Sequence, residues 1–345
     1  MTTDIATESA TDEPPSAVPP SMRAAVARRY GTADVVAVEE VPTPTPDSDQ
    51  VLLRVEASSL NALDWHYLTG TPYLLRLVAG LRRPKRIIPG ADVAGVVVAT
   101  GSDVTTVQAG DAVFAEGSGG GCAPYVAIKA AALVPVPDGV SFVAAAATPV
   151  AGLTAMQGLR THAGVQPGEQ VLINGAAGGV GTFAVQIAKA LGAEVTAVCS
   201  ARNVDMVLRL GADHVIDYTT QDFVAGGARF DVMLDNVGNR TPAECVSVMR
   251  AGGRYVAVSG PKDNPWLDPL PQLLRTRLRF RRADASFHQF TASMNRDDLE
   301  SLGQLVASGA VVPEIQRTVG LDGVADGLAE IGSGHAIAKI VVTPA

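Results

Sequence analysis

The sequence predicts an α/β chain in two parts: a twisted antiparallel β-domain, then a doubly wound parallel sheet. Three observations carry this reading. Short β-branched runs punctuated by Gly and Pro fill the chain to about Ala145, and from Pro149 apolar runs alternate with helix-period segments. A glycine-rich stretch, Gly175-Ala-Ala-Gly-Gly-Val-Gly181, sits at the first strand-to-helix junction.

Residues 1–21 hold Asp4, Glu8, Asp12, Glu13 and four prolines but no Lys or Arg. That composition cannot offset the entropy of ordering, so a disordered tail is expected. It lacks the basic start and apolar centre of a secretory signal and the arginines of a transit segment. Strands are expected at Arg23–Arg28, Val35–Glu40, Val51–Ala57, Val93–Ala99, Ala112–Ala115 and Pro124–Ile128, between turn clusters such as Pro42-Thr-Pro-Thr-Pro46.

In the second part Gln170–Asn174 reads as a short buried strand, and Val180–Leu191 as a helix with Val180, Phe183, Ala184, Ile187 and Leu191 on one face. Strand Glu194–Cys199, helix Asn203–Leu210, strand Val215–Asp217 and strand Phe230–Asp235 follow. A helix Thr241–Arg250 ending at Gly252-Gly253 and a strand Arg254–Ser259 complete the series. Such alternation implies right-handed crossovers and a Rossmann-like domain.

Composition narrows the function. The chain has 345 residues, 47% of them hydrophobic, enough for a large core. Its 35 acidic against 27 basic residues give a net charge of −8, so there is no global attraction for a nucleic-acid backbone and no such partner is expected. Cys122, Cys199 and Cys245 are too scattered for a disulfide framework or a zinc site, which fits a reducing cytoplasm. Apolar stretches stop short of the roughly 18 residues of a membrane span, so no membrane partner is expected either.

The chemistry sits at the glycine-rich turn. A helix starting there aims unpaired backbone N–H groups and its positive dipole end at the turn, and small residues let a pyrophosphate approach, so Ala176, Ala177, Gly178, Gly179 and Val180 are candidate dinucleotide-binding residues. Against the pattern G-x-G-x-x-G, the first glycine is Ala176. After the second strand, where an NAD enzyme places an acid for the ribose, the chain reads Ser200-Ala-Arg202-Asn203. A hydroxyl and a fixed cation suit a 2′-phosphate, so NADPH is expected; the bland alternative makes Ser200 a helix cap and Arg202 a solvated cation. Ligands bind at the C-terminal ends of parallel strands, which adds Asn236, Val237 and Gly238 after the fourth strand and Ser259 and Gly260 after the fifth. Thr148 and Thr154, at the crossing between the domains, offer hydroxyls to the carboxamide.

With AAGGVG at residues 176–181 and LGADHVIDY at 210–218, the chain after residue 22 resembles the zinc-independent quinone-oxidoreductase branch, zeta-crystallin-like, of the medium-chain dehydrogenase/reductase superfamily. The resemblance implies a GroES-like catalytic domain over 22–147 that resumes at 287–345, interrupted by a Rossmann domain over 148–286. It adds Tyr218 as a cofactor contact and Lys339 as a basic residue directed towards the pyrophosphate, with a solvated Lys as the alternative. The zinc ligands of family alcohol dehydrogenases are missing: the matching stretches read Ser58-Ser59-Leu60-Asn61 and Pro89-Gly90-Ala91-Asp92, so no metal is expected.

What replaces the metal is sought in Asn61-Ala-Leu-Asp64-Trp65-His66-Tyr67 and on to Tyr73. In similar enzymes the N-x-x-D part lines the cleft by the nicotinamide, making Asn61 and Asp64 candidates, with Asn61 orienting a carbonyl or the ribose. In related enoyl reductases a Tyr just past the following Gly is the proton donor. Tyr73 lies one residue later than in that pattern, so His66 and Tyr67 stand beside it as alternatives, and each also reads as an ordinary cleft or core residue.

Two basic clusters stand out, Arg76–Arg86 and Arg275–Arg282. The second alternates with Thr276, Leu278 and Phe280 and reads as a charged edge strand, or as a surface for an anionic substrate tail or acidic partner. The function expected is hydride transfer from NADPH to a quinone, enone or other activated carbonyl, in a protein for which a homodimer is a candidate assembly. The alternative is a non-catalytic NADPH-sensing or RNA-binding zeta-crystallin-like protein.

Overall fold

The structure is a computed structural model and describes residues 18–258 and 270–344. The proposed tail therefore lies outside the described residues up to residue 17, while Ser21, counted with the tail in the sequence reading, already opens the first strand. The first domain is built from β1 (Ser21–Ala27), β2 (Val36–Pro42), β3 (Gln50–Leu60), β4 (Asp92–Thr100), β5 (Ala112–Glu116), β6 (Tyr125–Lys129) and β7 (Val134–Pro135). Helices α1 (Ala62–Thr69) and α2 (Arg76–Ala79) sit between β3 and β4, and α3 (Phe142–Ala147) closes the domain. β1 and β2 form an antiparallel pair, and β3 pairs antiparallel with β4 and with β6. All six expected strands are present, each shifted or extended by a few residues, because turn residues bound the runs while pairing sets their ends.

Helix α4 (Pro149–Met156) leads into the second domain, which contains β8 (Gln170–Asn174), α5 (Gly179–Ala190), β9 (Glu194–Cys199), α6 (Val204–Arg209), β10 (His214–Asp217) and β11 (Phe230–Asp235). There follow α7 (Pro242–Ser247), β12 (Met249–Ala257), α8 (Leu270–Arg282) and β13 (Ser286–Gln289). The sheet order is β10-β9-β8-β11-β12-β13, parallel throughout. Counted from β8 this is the 3-2-1-4-5-6 order of a dinucleotide-binding fold, with the switch point between β8 and β11.

Three sequence expectations are corrected here. The helix expected at Thr241–Arg250 ends at Ser247, and Gly252, at φ 74°, lies inside β12 where the register with β11 shifts. The glycines serve a strand irregularity, not a helix stop. Residues 275–282 are helical, not an edge strand: the buried pair Thr276 and Phe280 is spaced i, i+4, and Phe280 stacks on Tyr255 at 5.1 Å. A repeat this short fits both periods, and the tertiary contact decides. The boundary expected at Phe287 falls inside β13, which pairs with β12, so the chain leaves the parallel sheet after Gln289.

Beyond that sheet come α9 (Arg296–Ala307), β14 (Ile315–Val319), α10 (Val324–Ser333) and β15 (Lys339–Val342). β15 returns to the first domain and pairs antiparallel with β3, Ile340 opposite Leu60. This return makes the first domain discontinuous and carries Lys339 to the domain junction.

Candidate active site

The glycine-rich turn is shaped by backbone requirements. Gly175 has φ 78°, and a Cβ there would stand 2.7 Å from a Val237 methyl. The position needing a left-handed backbone is thus Gly175, which frees Ala176 to be an ordinary buried residue whose N–H donates to Val198 O. A Cβ on Gly181 would lie 2.2 Å from Gly175 O, so that glycine lets helix α5 pack on the turn. The N-cap of α5 is Gly178, without a capping side chain, so the first N–H groups of the helix have neither an intrahelical partner nor a side-chain cap. They and the helix dipole suit a pyrophosphate. The same turn touches the returning chain, since Ala338 N–H donates to Ala177 O at 2.8 Å and Gly178 bridges Ala338.

The turn after β11 faces the Gly175 turn across the switch point. Its geometry is held by Asp235, fully buried, whose Oδ1 accepts from Asn174 Nδ2 (2.9 Å), Val237 N (3.0 Å) and Gly238 N (2.9 Å), and whose Oδ2 accepts from Tyr255 OH (2.7 Å). Burial beside the Asp235 carboxylate pushes the Tyr255 hydroxyl far above its usual range. Asn236 donates from Nδ2 to Asn174 O at 3.1 Å, while its Oδ1 is buried with no hydrogen-bond partner. That orphaned acceptor, beside a helix N-terminus without a side-chain cap, is the feature that fits an amide-bearing nicotinamide nucleotide.

The other cofactor candidates divide. Ser200 stands at the head of the short turn after β9 without a side-chain cap bond, its Oγ accepting from Asn203 Nδ2 at 3.2 Å, and Arg202 is exposed with Nη2 3.4 Å from His335 O. Arg202 therefore sits beside the 335–339 segment that passes the glycine-rich turn. Tyr218 is exposed and its N–H donates to Cys199 O. Thr148 and Thr154 are buried, and their hydroxyls donate to Ala144 O and Val150 O, four residues back in their helices, so they retain only acceptor capacity. Ser259 and Gly260 lie outside the described residues.

Lys339 lies beside the glycine-rich turn and ends in a buried cluster, which excludes the solvated alternative. Its stem passes the turn, with Cδ 3.4 Å from where a Cβ on Gly179 would stand, and its side chain, 2% exposed, donates to Asn61 Oδ1 (2.5 Å) and to Asp92 Oδ2 (3.3 Å). Asp92 is the centre of this cluster: Oδ2 also accepts from Ser59 Oγ (2.8 Å) and Asn61 Nδ2 (2.9 Å), and Oδ1 from Val150 N (2.9 Å) in the first turn of α4. One carboxylate thereby ties together β3, β4, β15 and the entry to the second domain. Asn61 is correspondingly engaged inside the protein at both ends of its amide, donating to Asp92 and accepting from Lys339. Sequence reasoning passed over Asp92, although an acid heading the apolar strand Asp92-Val-Ala-Gly-Val-Val-Val is a signal in itself.

Asp64 completes a capping box at α1, accepting from Asn61 N at 2.9 Å, and reaches Gly90 N at 2.8 Å. Burial raises its pKa to about 6. Glu116, opposite Asp92 on β5, is raised to about 7 by burial and by the Asp92 charge. Of the proton-donor candidates, Tyr67 lines a pocket with Asp64, Arg86, Ile88 and Gly119, the Arg86 guanidinium 4.1 Å over its ring. Tyr73 stacks under Arg76 at 4.6 Å, and His66 is exposed with Nδ1 2.9 Å from Thr71 O. Among the described residues no group of three His, Cys, Asp or Glu could hold a metal ion.

A GroES-like sheet domain, discontinuous around a 3-2-1-4-5-6 parallel sheet with an N-terminus open to phosphate, defines a two-domain dehydrogenase/reductase. Residues 47–138 match the family described as "Alcohol dehydrogenase GroES-like domain" and residues 210–342 the family "Zinc-binding dehydrogenase". The chain is 34% identical over 320 residues to the chloroplast envelope quinone oxidoreductase homolog of Arabidopsis thaliana, covering 88% of this chain and 93% of that protein. It is 31% identical to the NADPH-dependent alkenal/one oxidoreductase of the same plant, over 95% of this chain and 81% of the other. The solved quinone oxidoreductase of Coxiella burnetii superposes with a TM-score of 0.83 at 29% identity, covering 94% and 100% of the two chains. The chain belongs to the medium-chain dehydrogenase/reductase superfamily, in its quinone-oxidoreductase-like branch, and is an oxidoreductase.

Proposed function

We propose that the protein is an NADPH-dependent, zinc-independent reductase of quinones, enones or similarly activated carbonyl compounds. The observation that carries this reading is the N-terminus of α5, without a capping side chain, led in by the Gly175 turn that packs on Val237 and Asn236, whose Oδ1 is the orphaned acceptor. The names of the relatives, a quinone oxidoreductase homolog and an alkenal/one oxidoreductase, support the substrate class.

When bound, the nicotinamide supplies the hydride. The N–H groups of Gly179 and Val180 bind the diphosphate, with Gly178 leaving the approach open. Ser200 and Arg202 meet a 2′-phosphate, and the Asn236 Oδ1 accepts from the carboxamide. Asp92 and Lys339 hold Asn61, β15 and the start of α4 in one arrangement, which keeps the two walls of the cleft in register. A negative charge developing on the substrate oxygen needs a neutral donor, and Tyr67, Tyr73 and His66 are the groups able to hold and release that proton. The cytoplasm is the compartment this reading favours, with a homodimer as assembly and no nucleic-acid partner.

Absorbance of NADPH followed against a panel of quinones and enones, before and after prolonged chelation, tests the proposal. Turnover with members of the panel, unchanged by chelation, is expected. NADPH binding without oxidation by any acceptor would establish a non-catalytic sensor instead.

A further inference from the structure

Between Asp64 and Asp92 the chain carries no acidic residue, and that run contains Arg76, Arg82, Arg83, Lys85 and Arg86 in a protein of net charge −8. The same run exposes Leu74 (57%), Leu77 (67%), Val78 (65%) and Leu81 (70%). Single exposed leucines are ordinary on a protein surface, but four large aliphatic side chains within eight residues of each other form a patch with a use.

The segment is anchored from behind. The Arg76 guanidinium stacks 4.4 Å from the Tyr30 ring and 4.6 Å from that of Tyr73, and donates to Gly70 O (3.0 Å) and Thr69 O (3.2 Å). Tyr30 OH donates to Gly80 O at 2.5 Å, and Lys85 N to Ala79 O at 2.8 Å, with Ala79 buried. The leucines are therefore presented by a fixed backbone, which lowers the ordering cost of docking.

We propose that Leu74, Leu77, Val78 and Leu81, with Arg82 and Arg83, dock this protein on an anionic lipid surface. Charge selects this occupant. A two-fold contact with a second copy would set the basic cluster against itself, and like charges facing across an interface oppose association. Nucleic acid would answer the arginines but leave the aliphatic side chains in water. A bilayer with anionic headgroups satisfies both, taking the apolar side chains below the phosphates that the guanidinium groups bind. No helix among the described residues is long and apolar enough to cross a membrane, and docking from one side needs none. The sequence expectation of no membrane partner considered only spanning segments. This inference stands apart from the proposed reaction, because binding is read without turnover.

Sedimentation of the full-length protein with vesicles of phosphatidylcholine, alone or mixed with phosphatidylglycerol, tests it. Binding to the mixed vesicles that weakens with salt is expected. Removing two charges in R82Q/R83Q should lower the partition coefficient about 25-fold, roughly fivefold for each charge. L77S/V78S, which alters no charge, should lower it about tenfold or more, with both variants keeping the wild-type unfolding transition. Absence of binding to either vesicle overturns the proposal, and so does binding that L77S/V78S leaves unchanged. Self-association that L77S/V78S abolishes would assign the patch to a second copy and overturn it as well.

Discussion

Lys339 Nζ lies 3.3 Å from Asp92 Oδ2 with both side chains buried, although 247 residues separate them in the chain. The pair joins the last strand to the head of β4, and through Val150 N to the first turn of α4. Asp92→Asn leaves a buried ammonium without its counter-charge and should cost about 3–5 kcal/mol of stability. Lys339→Met should cost less, about 2–3 kcal/mol, because Ser59, Asn61 and Val150 still donate to Asp92. The double variant should cost at least about 1 kcal/mol less than the two together in urea unfolding. Additive costs would show that the charges do not act as a pair.

Arg202 is exposed and makes one long contact, to His335 O at 3.4 Å, so its guanidinium is available to a phosphate. The protein should bind NADPH more tightly than NADH, and Arg202→Ala should weaken NADPH binding on the order of 10- to 150-fold while sparing NADH. Calorimetric titration of both nucleotides into both proteins decides this. Equal affinities in the wild type would remove the role assigned to Arg202.

The proton donor should separate by substrate. With an enone, replacement of the true donor among His66→Ala, Tyr67→Phe and Tyr73→Phe should lower the rate by ~10²–10⁴ with NADPH affinity intact. A quinone yields an aromatic diolate that water can protonate, so its rate should change little. Full enone rates in all three variants would place the donor elsewhere.

Glu116 has its pKa raised from 4.5 to about 7, by burial first and by the Asp92 charge second. The folded state therefore holds this proton more tightly than the unfolded chain. Its contribution to stability is fully present below about pH 4.5 and is lost as pH rises through about 7. Glu116→Gln mimics the protonated form at every pH. Its unfolding free energy in urea should match the wild type near pH 4.5 and exceed it by pH 8, on the order of 1–2 kcal/mol after allowing for partial contact with water. A difference that does not change with pH would show that Glu116 does not titrate in this range.

The sequence by itself determined three central strands of the second domain and the turn that opens its first helix. Gln170–Asn174, Glu194–Cys199 and Phe230–Asp235 appear as strands with the bounds read from them, because a strand buried on both faces must be apolar throughout and glycines or charges mark its ends. The cofactor turn was legible for the same local reason: a helix that opens on small residues carries its anion site with it. Tertiary structure alone decided that residues 275–282 are helix, since Phe280 had to reach Tyr255 and an alternating run fits two periods. It alone decided that Gln289 ends the parallel sheet, and that Asn61, Asp92 and Lys339 meet. Periodicity reports which way a side chain faces along its own element, whereas a buried ion pair depends on where a distant part of the chain returns, and no local pattern records that.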